Sequence, residues 1–565
     1  MWRAIVLLLL CSLTFLAGLG GPAITDSDEA FYAEAAREMV ATGDWITPHF
    51  NDQERFQKPI LFYWLTAATY AIAGISETTA RVWSALSGVG LVLVTFAAGR
   101  RWYGDGPGFV AGAVTATSFG VFWMARQSLP DLPVTFFITA ATWAAIEAVA
   151  VEPGSPDAAK LGSRVAEPRR RWLLLSAAAM ALGLLTKGPV AVVLPIGIVA
   201  LVVLWERRGR RGQPWLPIGP GDLLTACLVF VAIAAPWFAA VTMVHGVDYL
   251  ARFFVGENIE RFATSRYNEP RPIYFYVPIV LGGLVPWTPF LLLWVGPLVR
   301  LVRGRRRLTP VEIRLGLWAL VPFVFYSISM GKQPRYVLPC LTPVAILLGA
   351  SLWRYLRPVQ PAPRDALWKA AGVTMGAIVA LVGLLVLRAR VMLTAVDPGW
   401  SPAGSYVMIA CGLVSIGAAL TMSPRIALTM LTGAAAATLL ALQTSVLSLG
   451  RPEPVEVVAA VVRAQGSDLT VCTCGAFTRN LVFYAHHPTL VGEKDEDAQR
   501  LLEQQSRTLV VLDEPMLARI ERATGRTFVR LAEVPYLNTN ALRTDDLLNP
   551  DPARKIQRIV LVSNR

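Results

Sequence analysis

Apolar residues over the first 450 positions gather in long runs broken by short polar stretches, the pattern of successive helices rather than of alternating strands. Thirteen such runs stand out, at 1–20, 82–98, 107–124, 132–151, 172–185, 189–205, 223–244, 273–302, 315–329, 336–353, 370–386, 406–422 and 427–449. Each approaches the length that a hydrocarbon core of about 30 Å requires of a helix. The run 60–73 is shorter and dense in Tyr and Trp, which favour the membrane interface, so it predicts a juxtamembrane helix on the outer face. The first run also fits a cleaved signal peptide, with Arg3 ahead of it and small residues behind. After 449 the pattern changes. Residues 450–565 are charged and carry short β-type runs at 469–472, 508–512 and 559–562, with helix-like segments at 456–465 and 497–505, which predicts a small α/β domain. The expected division is therefore a transmembrane domain at 1–449, whose first outer loop is 22–81, and an α/β domain at 450–565.

Composition strengthens the membrane reading. Of 565 residues, 54% are hydrophobic and 16% charged, against roughly 45–50% and about 25% in soluble domains. This excludes an ordinary cytosolic globular protein. The 52 Lys and Arg exceed the 39 Asp and Glu, for a net charge of +13. In a soluble chain that would suggest nucleic acid as partner; in a membrane protein the basic residues belong first to the cytoplasmic loops. With the N-terminus inside and 60–73 not crossing, the clusters at 100–101, 169–171, 207–211 and 303–307 all fall on one side. That is the positive-inside pattern, and it places the C-terminal domain outside.

Ionisable residues near the membrane are the candidates for chemistry. On this topology the outer face collects Asp28 and Glu29, then Lys58, Asp131, Lys187, Glu257, Asn258, Arg261, Lys332 and Arg335. A carboxylate pair ringed by Lys and Arg from several loops is chemistry suited to an anionic lipid head group. Plainer readings stand beside it. Asp28 and Glu29 suit the N-terminus of a helix over 30–40, Asp131 suits a helix cap, Lys187 a turn before Gly188-Pro189, and Arg335-Tyr336 a snorkelling pair at a helix end. Cys472 and Cys474 share one face of a predicted strand near the distance limit for a disulfide, and the four His show no ligand spacing with any Cys.

The stretches Asp28-Glu29-Ala30-Phe31-Tyr32, Gly43-Asp44-Trp45, Phe56-Gln57-Lys58-Pro59 and Tyr63-Trp64-Leu65 together resemble the first periplasmic loop of polyprenyl-phosphate-dependent glycosyltransferases. Two further motifs, 254–262 and 331–339, follow in the family's order, and the resemblance covers about residues 1–350. Its nearest forms are the bacterial aminoarabinose transferases of lipid A and the protein O-mannosyltransferases. The resemblance implies a GT-C fold in the bacterial inner membrane, with active site and C-terminal domain periplasmic. It implies a sugar donor linked to undecaprenyl phosphate, and an acceptor that is lipid A, another lipid or glycan, or a protein. Asp28, with Glu29 beside it, is then the catalytic carboxylate. Lys58, Arg261, Arg335 and Tyr336 bind the donor phosphate, and Asp131, Lys187, Glu257, Asn258 and Lys332 line the substrate. Gln57 and Asn258 replace the Glu and His associated with zinc in the aminoarabinose subgroup; both are poor zinc ligands, so no metal or other cofactor is expected. Phe31 stands where many relatives have Arg. The rival reading is a lipid or solute transporter, which predicts charges in mid-span and repeated helices, whereas the charges here sit at span ends. A sensor with a ligand-binding C-terminal domain is the third. Nucleic acid is not an expected partner.

Overall fold

The computed structural model describes residues 1–150, 162–208, 218–264, 270–356, 364–448, 450–538 and 544–565. Val151, the first part of the polar loop after it, Arg210, Arg211, residues 265–269 and Leu449 lie outside the described residues. Each of the thirteen apolar runs contains helix. Nine described helices are long and apolar enough to cross a membrane, or up to eleven if two bent pairs each count once. Trp2–Leu16 is a shorter apolar helix. The expected fifth span begins earlier than its apolar run, as part of Gly162–Lys187, so the basic cluster 169–171 is helical and not loop.

The expected single span 273–302 is instead two segments, Ile273–Gly283 and Thr288–Val302, meeting at 105°. Gly282-Gly283 and Pro286 interrupt the run there, and Pro supplies no N–H to continue an α-helical ladder. The run 107–124 breaks likewise at 58°, between Asp105–Ala116 and Phe119–Ala125. Leu61–Ala73, the expected juxtamembrane helix, has 13 residues. At 1.5 Å per residue it measures about 20 Å, short of a crossing.

Side-chain pairs fix which ends of the helices lie together. Arg101 meets Glu147 at 3.2 Å and Arg170 meets Asp222 at 3.6 Å. Arg314 pairs with Glu206 at 2.5 Å beside Arg207. At the opposite ends of these same helices stand Asp131 and Lys187, paired with each other, and Arg335 close to Asp131. The basic clusters and the candidate site therefore occupy opposite ends of the bundle, as the charge pattern predicts.

At the site end, Asp28–Thr42 forms a helix because Ser27 caps it, accepting from the Glu29 N–H at 3.3 Å, and Gly43 ends it at φ +74°. Leu61–Ala73 packs on it through Tyr63 and Phe62, at 5.3 and 5.6 Å from the Tyr32 ring. A two-residue hairpin, β1 (His49–Phe50) with β2 (Gln53–Glu54), lies between them.

The C-terminal residues form one five-stranded sheet of β3 (Thr470–Cys474), β4 (Thr489–Gly492), β5 (Thr508–Asp513), β6 (Val529–Leu537) and β7 (Ile556–Ser563). Strand order is β4-β3-β5-β7-β6, with β4, β3 and β5 parallel and β7 and β6 antiparallel. Pro535 sits in β6, an edge strand, where its missing N–H breaks no central ladder. Cys472 and Cys474 place their sulfurs 3.7 Å apart as free thiols.

This domain is clamped to the first loop. Glu453 accepts from the Ala23 N–H at 2.6 Å, Tyr484 Oη from the Ile24 N–H at 2.7 Å, and Arg451 pairs with Glu77. At the hairpin, Asn51 and Thr489 exchange two hydrogen bonds, both 2.7 Å. Glu38 holds that hairpin from below, accepting from the Asn51 and Asp52 N–H groups at 2.6 and 3.3 Å. Burial and the adjacent Glu34 raise the Glu38 pKa to about 7. A carboxyl so raised keeps its proton in the folded chain where the unfolded chain has lost it, so its contribution is complete at low pH and is lost as pH rises through about 7. The melting temperature is expected to drop between pH 5.5 and 8 by more in the wild type than in Glu38→Gln. Equal drops in the two proteins would show that Glu38 does not titrate there.

Candidate functional site

The clamped loop and the helix ends enclose a polar cavity of about 420 Å³ lined by Asp28, Lys58, Asp131, Lys187, Arg261, Arg335 and Tyr336 among others. Seven candidates chosen from widely separated parts of the sequence thus meet in one place. Asp28 pairs with Arg335, which sets its Nε 3.3 Å from Asp131. Asp131 is 3% exposed and is also held by Lys187. Two carboxylates and two cations form a linear chain, Asp28–Arg335–Asp131–Lys187, in which Asp28, with its side chain 40% exposed, is the most open member.

Backbone chemistry positions these groups. Lys187 closes its helix at Gly188, whose φ of +113° suits glycine, and a Cβ there would stand 3.0 Å from Phe253 and 3.1 Å from Asn258. Gly331 lets the 329–333 turn press on the Arg261 carbonyl, 2.3 Å from where a Cβ would lie, and the Met330 N–H donates to the Phe262 carbonyl at 2.8 Å. Two of the sequence motifs are thereby packed directly on each other.

A second, mainly apolar groove of about 280 Å³ adjoins the first and shares Lys58, Lys187, Arg261 and Tyr336 with it. Val190, Val193, Phe262 and Phe325 line it. Lys58 lies at the junction, buried, donating to the Gln57 carbonyl at 2.8 Å and facing Glu257 at 3.9 Å. Arg261 reaches the same Glu257 at 2.8 Å. Burial, reinforced by the nearby Arg261 charge, lowers the Lys58 ammonium to about 7. The Lys187 ammonium stands 4.7 Å from the Tyr336 ring.

Four expected site residues sit differently. Glu29, expected beside Asp28, turns away into the protein, is fully buried and does not line the cavity. Its oxygens accept from Arg81 at 2.7 and 3.1 Å, from the Thr25 N–H at 3.0 Å and from the Ser128 N–H at 2.8 Å. Burial alone would raise its pKa, but Arg81 and these donors outweigh burial and hold the carboxyl below its ordinary range. Helix geometry explains the separation, since consecutive residues point about 100° apart. Lys332 donates to the Ser329 carbonyl and lines neither cavity. Glu257 and Asn258 line the groove and not the polar cavity, with the Asn258 carboxamide donating to the Phe253 carbonyl at 2.7 Å.

The residues where zinc would bind do not fit a metal. Gln57 Oε1 is engaged by Arg55 at 2.8 Å, and Glu257, next to Asn258 in the chain, is already paired with Lys58 and Arg261. The described residues contain no cluster of three or more His, Cys, Asp or Glu able to hold a metal ion.

The cavity also takes Tyr32 and Gln333, which lie within two of the motifs but were not chosen as site residues, and Arg479, which no motif marked out. Arg479 comes from the C-terminal domain, and its Nη1 lies 3.7 Å from Asp28.

A multi-helix fold thus holds a charged chamber that opens on an apolar groove, with a small sheet domain contributing Arg479 to the chamber. Residues 13–250 match the family model of dolichyl-phosphate-mannose-protein mannosyltransferase. The chain is 34% identical over 358 residues to the undecaprenyl phosphate-alpha-4-amino-4-deoxy-L-arabinose arabinosyl transferase of Pseudomonas aeruginosa strain UCBPP-PA14, covering 62% of this chain and 60% of that one. It is 33% identical over 340 residues to the enzyme of the same name from Aeromonas salmonicida, covering 60% and 58%. The chain thus spans about six-tenths of the length of the curated relatives it matches. Its fold is that of ArnT from Cupriavidus metallidurans in the crystal structure bound to undecaprenyl phosphate, with a TM-score of 0.73 and 22% identity over 99% of this chain and 98% of that one. In motif order, in sequence over its first part and in fold, the chain is similar to polyprenyl-phosphate-dependent GT-C glycosyltransferases.

Proposed function

We propose that this protein is an integral membrane glycosyltransferase that moves one sugar from a polyprenyl phosphate, undecaprenyl phosphate in a bacterial inner membrane, to an acceptor on the periplasmic side. Lipid A or another lipid or glycan is the acceptor class this reading favours, because the relatives that align are aminoarabinose transferases. The observation that carries it is the junction at Lys58 and Arg261, where the charged cavity meets the apolar groove. A prenyl chain suits the groove, its phosphate the junction, and its sugar the space beside Asp28.

The chemistry follows from those positions. The bond between the anomeric carbon and the phosphate oxygen breaks, its electron pair stays on the phosphate, and the acceptor oxygen forms the new glycosidic bond. Lys58 and Arg261 stabilise the charge that develops on the departing phosphate, an effect of about 3–4 kcal/mol for a well-placed donor by analogy with oxyanion holes. A proton leaving an acceptor hydroxyl goes to the Asp28 carboxylate. An acceptor that is already ionised releases none, and Asp28 then orients it. Arg335 and Asp131 hold Asp28 in place.

The direct experiment gives the purified full chain a sugar-loaded undecaprenyl phosphate and an envelope lipid extract, and follows release of free undecaprenyl phosphate together with the mass of the modified acceptor. Lipid moved between leaflets with the sugar still attached would favour the transporter reading. Lys58 adds a pH test. Its ammonium is charged below about 7 and neutral above. Affinity for undecaprenyl phosphate should fall from pH 6 to pH 9, by up to about tenfold per pH unit beyond the pKa. Lys58→Arg should flatten the profile, and a flat wild-type profile would remove Lys58 from the phosphate site.

A further inference from the structure

The polar cavity holds more positive charge than its own carboxylates and one donor phosphate neutralise. Six lining side chains are cationic and two are carboxylates, and Glu257 of the adjoining groove pairs with Lys58 and Arg261 as a third. Lys187 and Arg335 are engaged by those carboxylates, and Lys58 and Arg261 stand at the mouth of the apolar groove. A sugar joined to a lipid through one phosphate is a phosphodiester with a single negative charge. Arg55 and Arg479 are left over, and neither lines the groove.

Those two are held together. Their guanidinium carbons lie 3.9 and 5.2 Å from the centroid of one ring, that of Phe31. Stacking on an aromatic ring steadies a guanidinium while leaving its N–H edge free for a carboxylate or phosphate. The Arg55 Nη2 donates to Gln57 Oε1 at 2.8 Å, while the Arg55 Nε is buried with no hydrogen-bond partner among the described residues. Among the described residues the charged partner of the Arg479 side chain is Asp28 at 3.7 Å, and 45% of that side chain is exposed. Its backbone is nonetheless fixed to the first loop. Asp26 accepts from the Arg479 and Thr478 N–H groups at 2.7 and 3.2 Å, and the Asn480 carboxamide donates to the Ile24 carbonyl at 2.9 Å. The chain enters this turn through Gly475 and Phe477 at φ +81° and +56°, a left-handed conformation that a non-glycine residue adopts only when its surroundings hold it there.

We propose that Arg479 and Arg55, stacked on Phe31, form a second anion subsite beside Asp28 that holds a phosphate or carboxylate group of the acceptor, so that the C-terminal domain helps to select what is glycosylated. The proposal rests on the transferase reading for its ligand and on the geometry for its anion chemistry. Phe31 gains a reason in the same arrangement: it is the platform for two arginines that arrive from different parts of the chain. Asp26 is a positioning residue, acting through the Arg479 backbone.

Two measurements on the purified full chain separate this subsite from the transferase reading. The first labels arginines with phenylglyoxal and reads Arg479 by peptide mass spectrometry, with inorganic phosphate or with undecaprenyl phosphate. Inorganic phosphate should slow Arg479 labelling severalfold, Arg55→Gln or Asp26→Ala should remove that protection, and undecaprenyl phosphate should leave Arg479 reactive. Labelling that ignores inorganic phosphate, or that undecaprenyl phosphate blocks equally well, overturns the second subsite. The second follows transfer. Arg479→Gln should raise the acceptor KM about tenfold or more, as expected for loss of a charge-assisted bond, with donor KM within about twofold and partial recovery in Arg479→Lys. Equal losses for donor and acceptor would mean that Arg479 only supports the fold, and overturn the proposal. A wild-type protein that transfers no sugar defeats the transferase reading, while the labelling still decides whether Arg479 binds an anion.

Discussion

Asp28→Asn is expected to lower sugar transfer by about 10²–10⁴-fold, the range for removing a positioned general base. The substitution keeps the size of the side chain and the cap at Ser27, so the helix Asp28–Thr42 should survive. What it removes is a charge that faces the cavity and binds Arg335. With that charge gone, Arg335 retains Asp131 at 3.3 Å and should stay in place. Undecaprenyl phosphate binding should therefore persist while turnover is lost, a kcat effect with little change in donor KM. Radiolabelled or mass-detected transfer by matched amounts of wild-type and variant protein measures it. Turnover preserved in the variant would remove Asp28 from the reaction, and an acceptor that is already ionised would show itself as a loss near the lower end of the range.

The neighbouring residue should behave in the opposite way. Glu29→Ala is expected to destabilise the protein by about 3–5 kcal/mol, the usual result of leaving a buried charge without its partner. Arg81, 1% exposed, would lose both of its bonds to Glu29. It would still bind the carbonyls of Leu19, Pro22 and Ala23 at 3.1, 2.7 and 2.8 Å, so an apolar replacement of Arg81 is no remedy, because three buried carbonyls would then lose their donor. These carbonyls belong to the segment that delivers Asp28 to the cavity. Low yield, a lowered melting temperature and faster amide exchange over residues 19–30 are the expected signs. Glu29→Gln should fall between wild type and Ala, since it keeps an acceptor and loses the charge. A Glu29→Ala protein that melts with the wild type would show that the Arg81 network is not what holds the first loop.

The contrast between Asp28 and Glu29 marks how far local sequence reaches. Both are acidic and open one helix, so helix-dipole reasoning applies to both alike. Their fates diverge because one points to a space bounded by Arg335 and Arg479 and the other to Arg81, residues that are respectively 307, 451 and 52 positions from their partners. Lys58, Asp131, Lys187, Arg261 and Arg335 were legible for a different reason: a membrane leaves few polar side chains, so those near span ends stand out. Lys332 satisfied the same rule and lies elsewhere, because the turn that presents Gln333 and Arg335 to the cavity sends its neighbour back to the Ser329 carbonyl. In the C-terminal domain, the runs that became β3, β5 and β7 were legible as strands, continuous and apolar, and these three are the central ones. The edge strands were not: β4 has four residues and β6 carries a proline.

By itself the sequence determined that the chain is a polytopic membrane protein, which ends of its helices carry the basic clusters, where long apolar runs give way to short strands and which motifs resemble GT-C transferases. Those are properties of hydrophobic run length and charge distribution, and a bilayer reads them segment by segment. Tertiary structure decided the division of Asp28 from Glu29, the meeting of a charged chamber with an apolar groove, and the entry of Arg479 into that chamber from the C-terminal domain. Each of those depends on the direction of single side chains and on packing between segments hundreds of residues apart, where close-packed interiors leave one arrangement and local propensity has no information.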